Sequence, residues 1–125
     1  MIIGIGTDIA RVGRFELALE RHGERFMQRL LGEAERAGFH ARGGSVAYLA
    51  KRFAAKESFV KALGTGLRHG MSWTEIQVLN DSLGRPVLHL SGRAEALATA
   101  AGVQRHHLSL SDEAELAVAF VVLEA

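Results

Sequence analysis

"SVAYLAKRFAAKESFVKALGTG", residues 45–66, decides how the rest of the chain is arranged. From Ser45 to Leu63 neither glycine nor proline interrupts a run of good helix formers. Ser45 suits an N-cap and Gly64 a C-terminal stop, which predicts one long helix followed by a Gly-Thr-Gly turn. Projected at about 100° per residue, Val46, Leu49, Ala50, Phe53 and Val60 share one stripe. Glu57 falls between Val46 and Ala50 in that projection, inside the apolar stripe. A buried carboxylate without a partner is costly, so Glu57 needs a cation. Lys61, four residues on, could supply it as a structural ion pair; a metal ion could supply it instead.

Upstream, "IIGIGTDI" (residues 2–9) reads as a strand. Ile3, Ile5 and Ile9 alternate onto one face, and Gly4, Gly6 and Asp8 share the other. The two glycines are expected to leave room for something to approach Asp8. Asp8 and Glu57 could then share a divalent ion. All-oxygen ligation without Cys or clustered His suits magnesium, which keeps waters and recruits substrate phosphates. Lys61 and the backbone N–H groups of Gly64-Thr65-Gly66 would face the same phosphates. "GIGTDI" imitates the opening of a dinucleotide fingerprint, but Ile9 stands in the third glycine's place, which rules that reading out.

Between strand and long helix, "ARVGRFELALERHGERFMQRLL" (residues 10–31) places Phe15, Leu19, Phe26 and Leu30 near helical spacing, with a break at His22-Gly23. "GEAERAGFH" (residues 32–40) is a third helix. Beyond the turn come a strand "SWTEIQVLN" (72–80) and a strand "PVLHL" (86–90) opened by Pro86. A helix "GRAEALATAA" (92–101) follows, with Ser91 as its cap. Strands "HHLSLSD" (106–112) and "LAVAFVVLE" (116–124) close the chain. The last is apolar on both faces, so it is expected to be central and covered. The class is α+β, with helices in the first half and most strands in the second.

The 125 residues, 48% hydrophobic and 23% charged, suit a single globular domain spanning 1–125. The absence of cysteine excludes disulfides, thiol catalysis and Cys-ligated zinc. No 18-residue apolar run is present, so no transmembrane helix and no membrane partner are expected. The apolar start meets Asp8 and Arg11 too soon for a secretory leader, and a cytoplasmic setting is the expectation. Net charge is +1 but uneven: residues 11–68 hold 12 Lys/Arg against six Glu, and residues 69–125 hold three Arg against seven Asp/Glu. The basic half implies an acidic partner or a phosphate-bearing ligand. The histidines show no metal spacing; His106 and His107 are neighbours on a strand and point to opposite faces. Ser109 and Ser111 share a strand face as packing or hydrogen-bonding residues. A non-enzymatic basic module that binds an acidic protein or nucleic acid would explain the charge, but not Asp8, Glu57 or the turn. One Trp and one Tyr also leave little for bases to stack on, so no nucleic-acid partner is expected.

"GIGTDI" at 4–9, "RFAAKESFVKALGTG" at 52–66, "SWTEIQV" at 72–78, "GRPVL" at 84–88 and "HLSLSD" at 107–112 occur in one order and spacing. In these the chain resembles the holo-acyl-carrier-protein synthases, bacterial phosphopantetheinyl transferases. The resemblance implies a 4′-phosphopantetheinyl transferase fold, a mostly antiparallel sheet packed on a long central helix with Arg-rich helices in the N-terminal half. It implies transfer of 4′-phosphopantetheine from coenzyme A to a serine of apo acyl carrier protein, in support of fatty acid biosynthesis. Adenosine 3′,5′-bisphosphate is the other product. Asp8 and Glu57 would bind magnesium. Lys61 would hold the phosphates, and Glu57 or a metal-bound water would take the serine proton. Arg52, Lys61, Gly64, Thr65, Gly66, Gly84 and Pro86 would contact coenzyme A. Arg14, Arg21 and Arg25, with Phe26 as an apolar anchor, would meet the acidic carrier protein. The family implies a homotrimer with active sites between subunits. Many relatives carry His where this chain has Asp112, which leaves the role of that position open.

Overall fold

A computed structural model describes residues 1–125. The order is β1 (Ile2–Arg11), α1 (Val12–His22), α2 (Glu24–Leu30), α3 (Glu33–Ala41) and α4 (Val46–Leu63), then a 3₁₀ turn at Trp73–Glu75. There follow β2 (Ile76–Asn80), β3 (Pro86–Leu90), α5 (Gly92–Ala100), β4 (Arg105–Glu113) and β5 (Leu116–Glu124). All pairing is antiparallel: β1-β5-β4 form one sheet and β2-β3 a hairpin. The expected α+β class, with its antiparallel strands and long helix, is what the chain adopts. No helix is long and apolar enough to cross a membrane.

α4 begins where Ser45 Oγ accepts the Tyr48 N–H and ends where Gly64 turns left-handed at φ 84°. It lies across the sheet, and small residues make the contact. A Cβ on Gly6 would stand 1.9 Å from the Ser58 carbonyl oxygen, and one on Gly4 1.9 Å from that of Ala62. The space opposite these glycines therefore holds the helix backbone, not a ligand, which corrects the sequence reading. Ala10, Ala117 and Ala119 continue the small floor, and Ser58 Oγ donates to the Ala119 carbonyl at 3.2 Å.

So placed, α4 has little open surface. Eleven of its 18 residues are buried, and they run nearly around it. Its buried ionic residues are Lys56 and Arg52, not Glu57. Lys56 Nζ is fully enclosed and donates to Glu35 Oε1 at 2.7 Å, to the Trp73 carbonyl at 2.8 Å and to the Ile76 carbonyl at 2.6 Å. All three ammonium protons are thus matched. Burial pulls the Lys56 ammonium down to about 8 while Glu35 works to keep it charged. Removing one partner of such a pair strands a buried charge. Lys56→Met is therefore expected to lower stability by about 3–5 kcal/mol, read as a fall in the urea midpoint at unchanged slope.

Two local expectations change. The strand anticipated from Ser72 begins at Ile76, because Trp73–Glu75 close a 3₁₀ turn instead. Ser91 makes no side-chain cap; Glu75 Oε2 accepts the Arg93 N–H at 3.0 Å in its place. β5 is central, as its apolar pattern suggests, but only its α4 side is covered. Ile5 (60% exposed), Ile9 (65%) and Phe120 (43%) stand on the outer face of the sheet. Three large apolar side chains on one open sheet face are an unpartnered surface.

Candidate functional site

Asp8 lies on the inner side of β1, opposite Ala119 on β5, where α4 passes. Lys61 Nζ reaches it from α4, 3.1 Å from Asp8 Oδ1 and 3.0 Å from the Thr7 carbonyl. Glu57 stands one turn earlier on the same helix. Burial pushes the Glu57 carboxyl up, the negative charge of Asp8 pushes it further, and Lys61 and Arg14 oppose both. The strand acid and the helix acid are therefore close enough for the charge of one to act on the other. The alternative ion pair of Glu57 with Lys61 is not made: Lys61 turns to Asp8. Two mutually repelling carboxylates, one held above its usual range, form an all-oxygen donor set that fits a hard divalent cation with remaining positions for water or substrate. Arg14 frames the same corner, its guanidinium carbon 5.1 Å from the Phe53 ring centroid and 5.7 Å from that of Phe15.

The Gly-Thr-Gly turn does a different job from the one its composition suggests. The N–H groups of Gly64, Thr65 and Gly66 all donate to the Val60 carbonyl, at 3.1, 3.2 and 3.2 Å. They cap α4 and are not free for a phosphate. What the turn contributes is shape, through left-handed Gly64 and Gly66 (φ 84° and 64°) just beyond Lys61.

Arg52, Gly84 and Pro86 do come together, in a cavity of about 290 Å³ walled by α4, the β2-β3 hairpin and the end of α3. Arg42, Tyr48, Lys51 and Asn80 join them, and no carboxylate lines it. The Arg52 Nη2 donates to Asn80 Oδ1 at 3.0 Å, and its guanidinium carbon sits 3.8 Å from the Tyr48 ring centroid. Its Nε is buried with no partner. Three cations around a cavity without an acid, one with an unsatisfied buried donor, describe an anion site. Sequence reading did not name Arg42, Tyr48, Lys51 or Asn80; only the excess of cations in residues 11–68 pointed this way. Asp112 is near but outside: it binds Lys51 Nζ at 3.0 Å and does not reach the Asp8–Glu57 site as a third acid.

The two groups lie on different sides of α4. Arg52 and Lys61 are nine residues apart, about 14 Å along the axis and half a turn around it. Arg14, Arg21 and Arg25 are exposed on α1 and α2, and half-buried Phe26 packs on Phe15 at 6.1 Å between ring centroids.

The 4′-phosphopantetheinyl transferase superfamily matches residues 4–121. A holo-[acyl-carrier-protein] synthase of Halorhodospira halophila is 54% identical over 123 residues, 98% of each chain. The crystal structure of holo-[acyl-carrier-protein] synthase from Neisseria meningitidis superposes with a TM-score of 0.92 at 43% identity, covering 100% of both chains. That of a Bacillus anthracis holo-(acyl-carrier-protein) synthase in complex with CoA (3′,5′-ADP) gives 0.81 at 40% identity, covering 100% of this chain and 98% of that one.

Proposed function

The chain belongs to the 4′-phosphopantetheinyl transferase superfamily, as an enzyme that moves phosphopantetheine from coenzyme A to apo acyl carrier protein, and we propose that the Asp8–Glu57–Lys61 site is where transfer occurs. The observation that carries this reading is the meeting of a strand acid and a helix acid beside one lysine. The serine oxygen of the carrier protein bonds to the phosphorus nearest pantetheine, the pyrophosphate bridge breaks, and adenosine 3′,5′-bisphosphate leaves. Such a displacement asks for positioning and charge neutralisation, and the nucleophile comes from the partner. Asp8 and Glu57 would hold magnesium, which when bound neutralises the pyrophosphate and polarises its oxygens. Lys61, half exposed and already at the mouth of the site, offsets charge on the leaving phosphate. Glu57, with its carboxyl above the usual range, or a water beside it, takes the serine proton.

The basic cavity takes the other end of coenzyme A, its nucleotide with the 3′-phosphate. Arg42, Lys51 and Arg52 offer charge there, and Gly84 and Pro86 a wall; Gly64, Thr65 and Gly66 border the pyrophosphate end by shape. Because the two ends occupy opposite sides of α4, one ligand joins them most directly across a boundary between copies of the chain. The open apolar sheet face favours the same conclusion, a homotrimer with shared sites. Arg14, Arg21, Arg25 and Phe26 form the landing face for the acidic carrier, whose encounter weakens with salt. The setting is cytoplasmic and the product serves fatty acid biosynthesis.

The direct test is to incubate the protein with coenzyme A, magnesium and an apo carrier protein and weigh the carrier. A mass increase of one phosphopantetheine group is expected, lost when chelator is added. No increase at saturating substrate would remove the assignment.

A further inference from the structure

Beneath the basic cavity lies a buried carboxylate that the transfer chemistry does not use. Glu35, on α3, is fully enclosed. Its Oε1 accepts Lys56 Nζ at 2.7 Å and the Gly32 N–H at 3.0 Å, and its Oε2 accepts the Val78 N–H at 2.8 Å. Its backbone carbonyl accepts the Tyr48 hydroxyl at 2.9 Å. One residue thus ties α3, α4 and β2 together by full hydrogen bonding on both of its ends.

Each of those ties leads one step further, to the cavity. The ring of Tyr48 carries two guanidiniums, Arg52 at 3.8 Å and Arg42 at 5.4 Å from its centroid. Val78 is two residues before Asn80 on the same strand. Asn80 Oδ1 accepts Nη2 of both arginines, at 3.0 Å from Arg52 and 3.4 Å from Arg42, while its Nδ2 donates to the Gly84 carbonyl at 3.0 Å. Two like charges are therefore clamped between one ring and one amide oxygen, with no acid of their own in the cavity. Left to themselves they would separate. The ring is held by the backbone carbonyl of Glu35, and the strand that carries the amide is held by the Glu35 carboxylate through Val78; the negative charge of that carboxylate also favours the Arg52 guanidinium from below.

We propose that the Glu35 carboxylate is a positioning group for the nucleotide end of coenzyme A, holding the Asn80 strand against Lys56 so that Arg42 and Arg52 converge on the 3′-phosphate. This rests on reading the cavity as the nucleotide end. Glu35 touches no substrate; it decides how well its two arginines are placed. Loosening them removes binding to the 3′-phosphate and leaves the distant Asp8–Glu57 site as it was.

The experiment compares coenzyme A with 3′-dephospho-coenzyme A as donors to a saturating apo carrier, in wild type and variants. Wild type should prefer coenzyme A, through KM. Glu35→Gln keeps the size and one acceptor but strands Lys56. The pair Glu35→Gln with Lys56→Met removes both buried charges, an exchange that buried ion pairs tolerate, and decides the matter if the single variant does not fold. In the folded variant the preference for coenzyme A should fall by about tenfold, carried by KM for coenzyme A, as expected for disturbed charge-assisted hydrogen bonds. A purely architectural Glu35 would lower both donors alike, so a folded variant with the wild-type preference overturns the proposal. A wild-type enzyme without any preference instead removes the reading of the cavity, and this role with it.

Discussion

Gly6→Ala is expected to remove a large share of the chain's folding stability. The added Cβ would stand 1.9 Å from the Ser58 carbonyl oxygen and 2.9 Å from the Ala62 nitrogen. Both are backbone atoms inside α4, so no rotamer change can relieve the overlap. The helix must lift from β1 instead. Lifting it breaks the Ser58–Ala119 hydrogen bond and opens the alanine floor beneath. The cost is about 4 kcal/mol or more, above the usual overpacking cost because the clash is with backbone, against a total of about 5–15 kcal/mol for a domain of this kind. Gly13→Ala supplies the contrast: it lies in α1, and nothing stands within 4 Å of its added Cβ. That variant should gain up to about 1 kcal/mol from helix propensity. Urea unfolding followed by circular dichroism measures both. A Gly6→Ala protein with the wild-type midpoint would show that strand and helix are less closely packed than described.

That contrast explains what a sequence can and cannot reveal here. The long helix, its Ser45 and Gly64 ends, the break at Gly23 and the limits of β3 and β5 follow from local propensity and spacing, and they are found as expected. Asp8 and Glu57 were legible as a pair because acids on otherwise apolar elements need partners. The burial of Lys56 was not legible. A stripe argument presumes a helix with one wet face, and α4 is enclosed on nearly every side. Its partner Glu35 lies 21 residues away, at no helical spacing. The glycines of β1 raised the right question and received the wrong answer, since a gap for a ligand and a gap for a helix backbone look the same in one dimension. The Gly-Thr-Gly turn misleads in a similar way: in the sequence its N–H groups look free, and in the fold the end of α4 consumes them. β5 was rightly central, but its outer face, apolar as well, is open in this chain, which an alternation pattern does not reveal.

Asp8→Asn and Glu57→Gln should each lower kcat for phosphopantetheine transfer by about 10³-fold, the scale of losing a proton acceptor or the charge stabilisation of a phosphoryl displacement. Their effects on the fold should be small, and for Glu57 the sign is known. Glu57 is half-buried, and both its burial and Asp8 oppose the ionised form. A carboxyl whose folded pKa is raised above its unfolded value costs stability at pH values above both. Glu57→Gln therefore melts at the wild-type temperature or above it at pH 7, while turnover collapses. Magnesium titrated calorimetrically in the presence of coenzyme A should bind wild type and be lost from both variants. Loss of activity with an undiminished melting temperature separates this role from the competing one, in which Glu57 merely balances Lys61. Lys61 turning to Asp8 already weakens that competitor. Were Glu57→Gln to unfold the chain while Asp8→Asn turned over normally, Glu57 would be an architectural residue, and two acids would not be working on one phosphate.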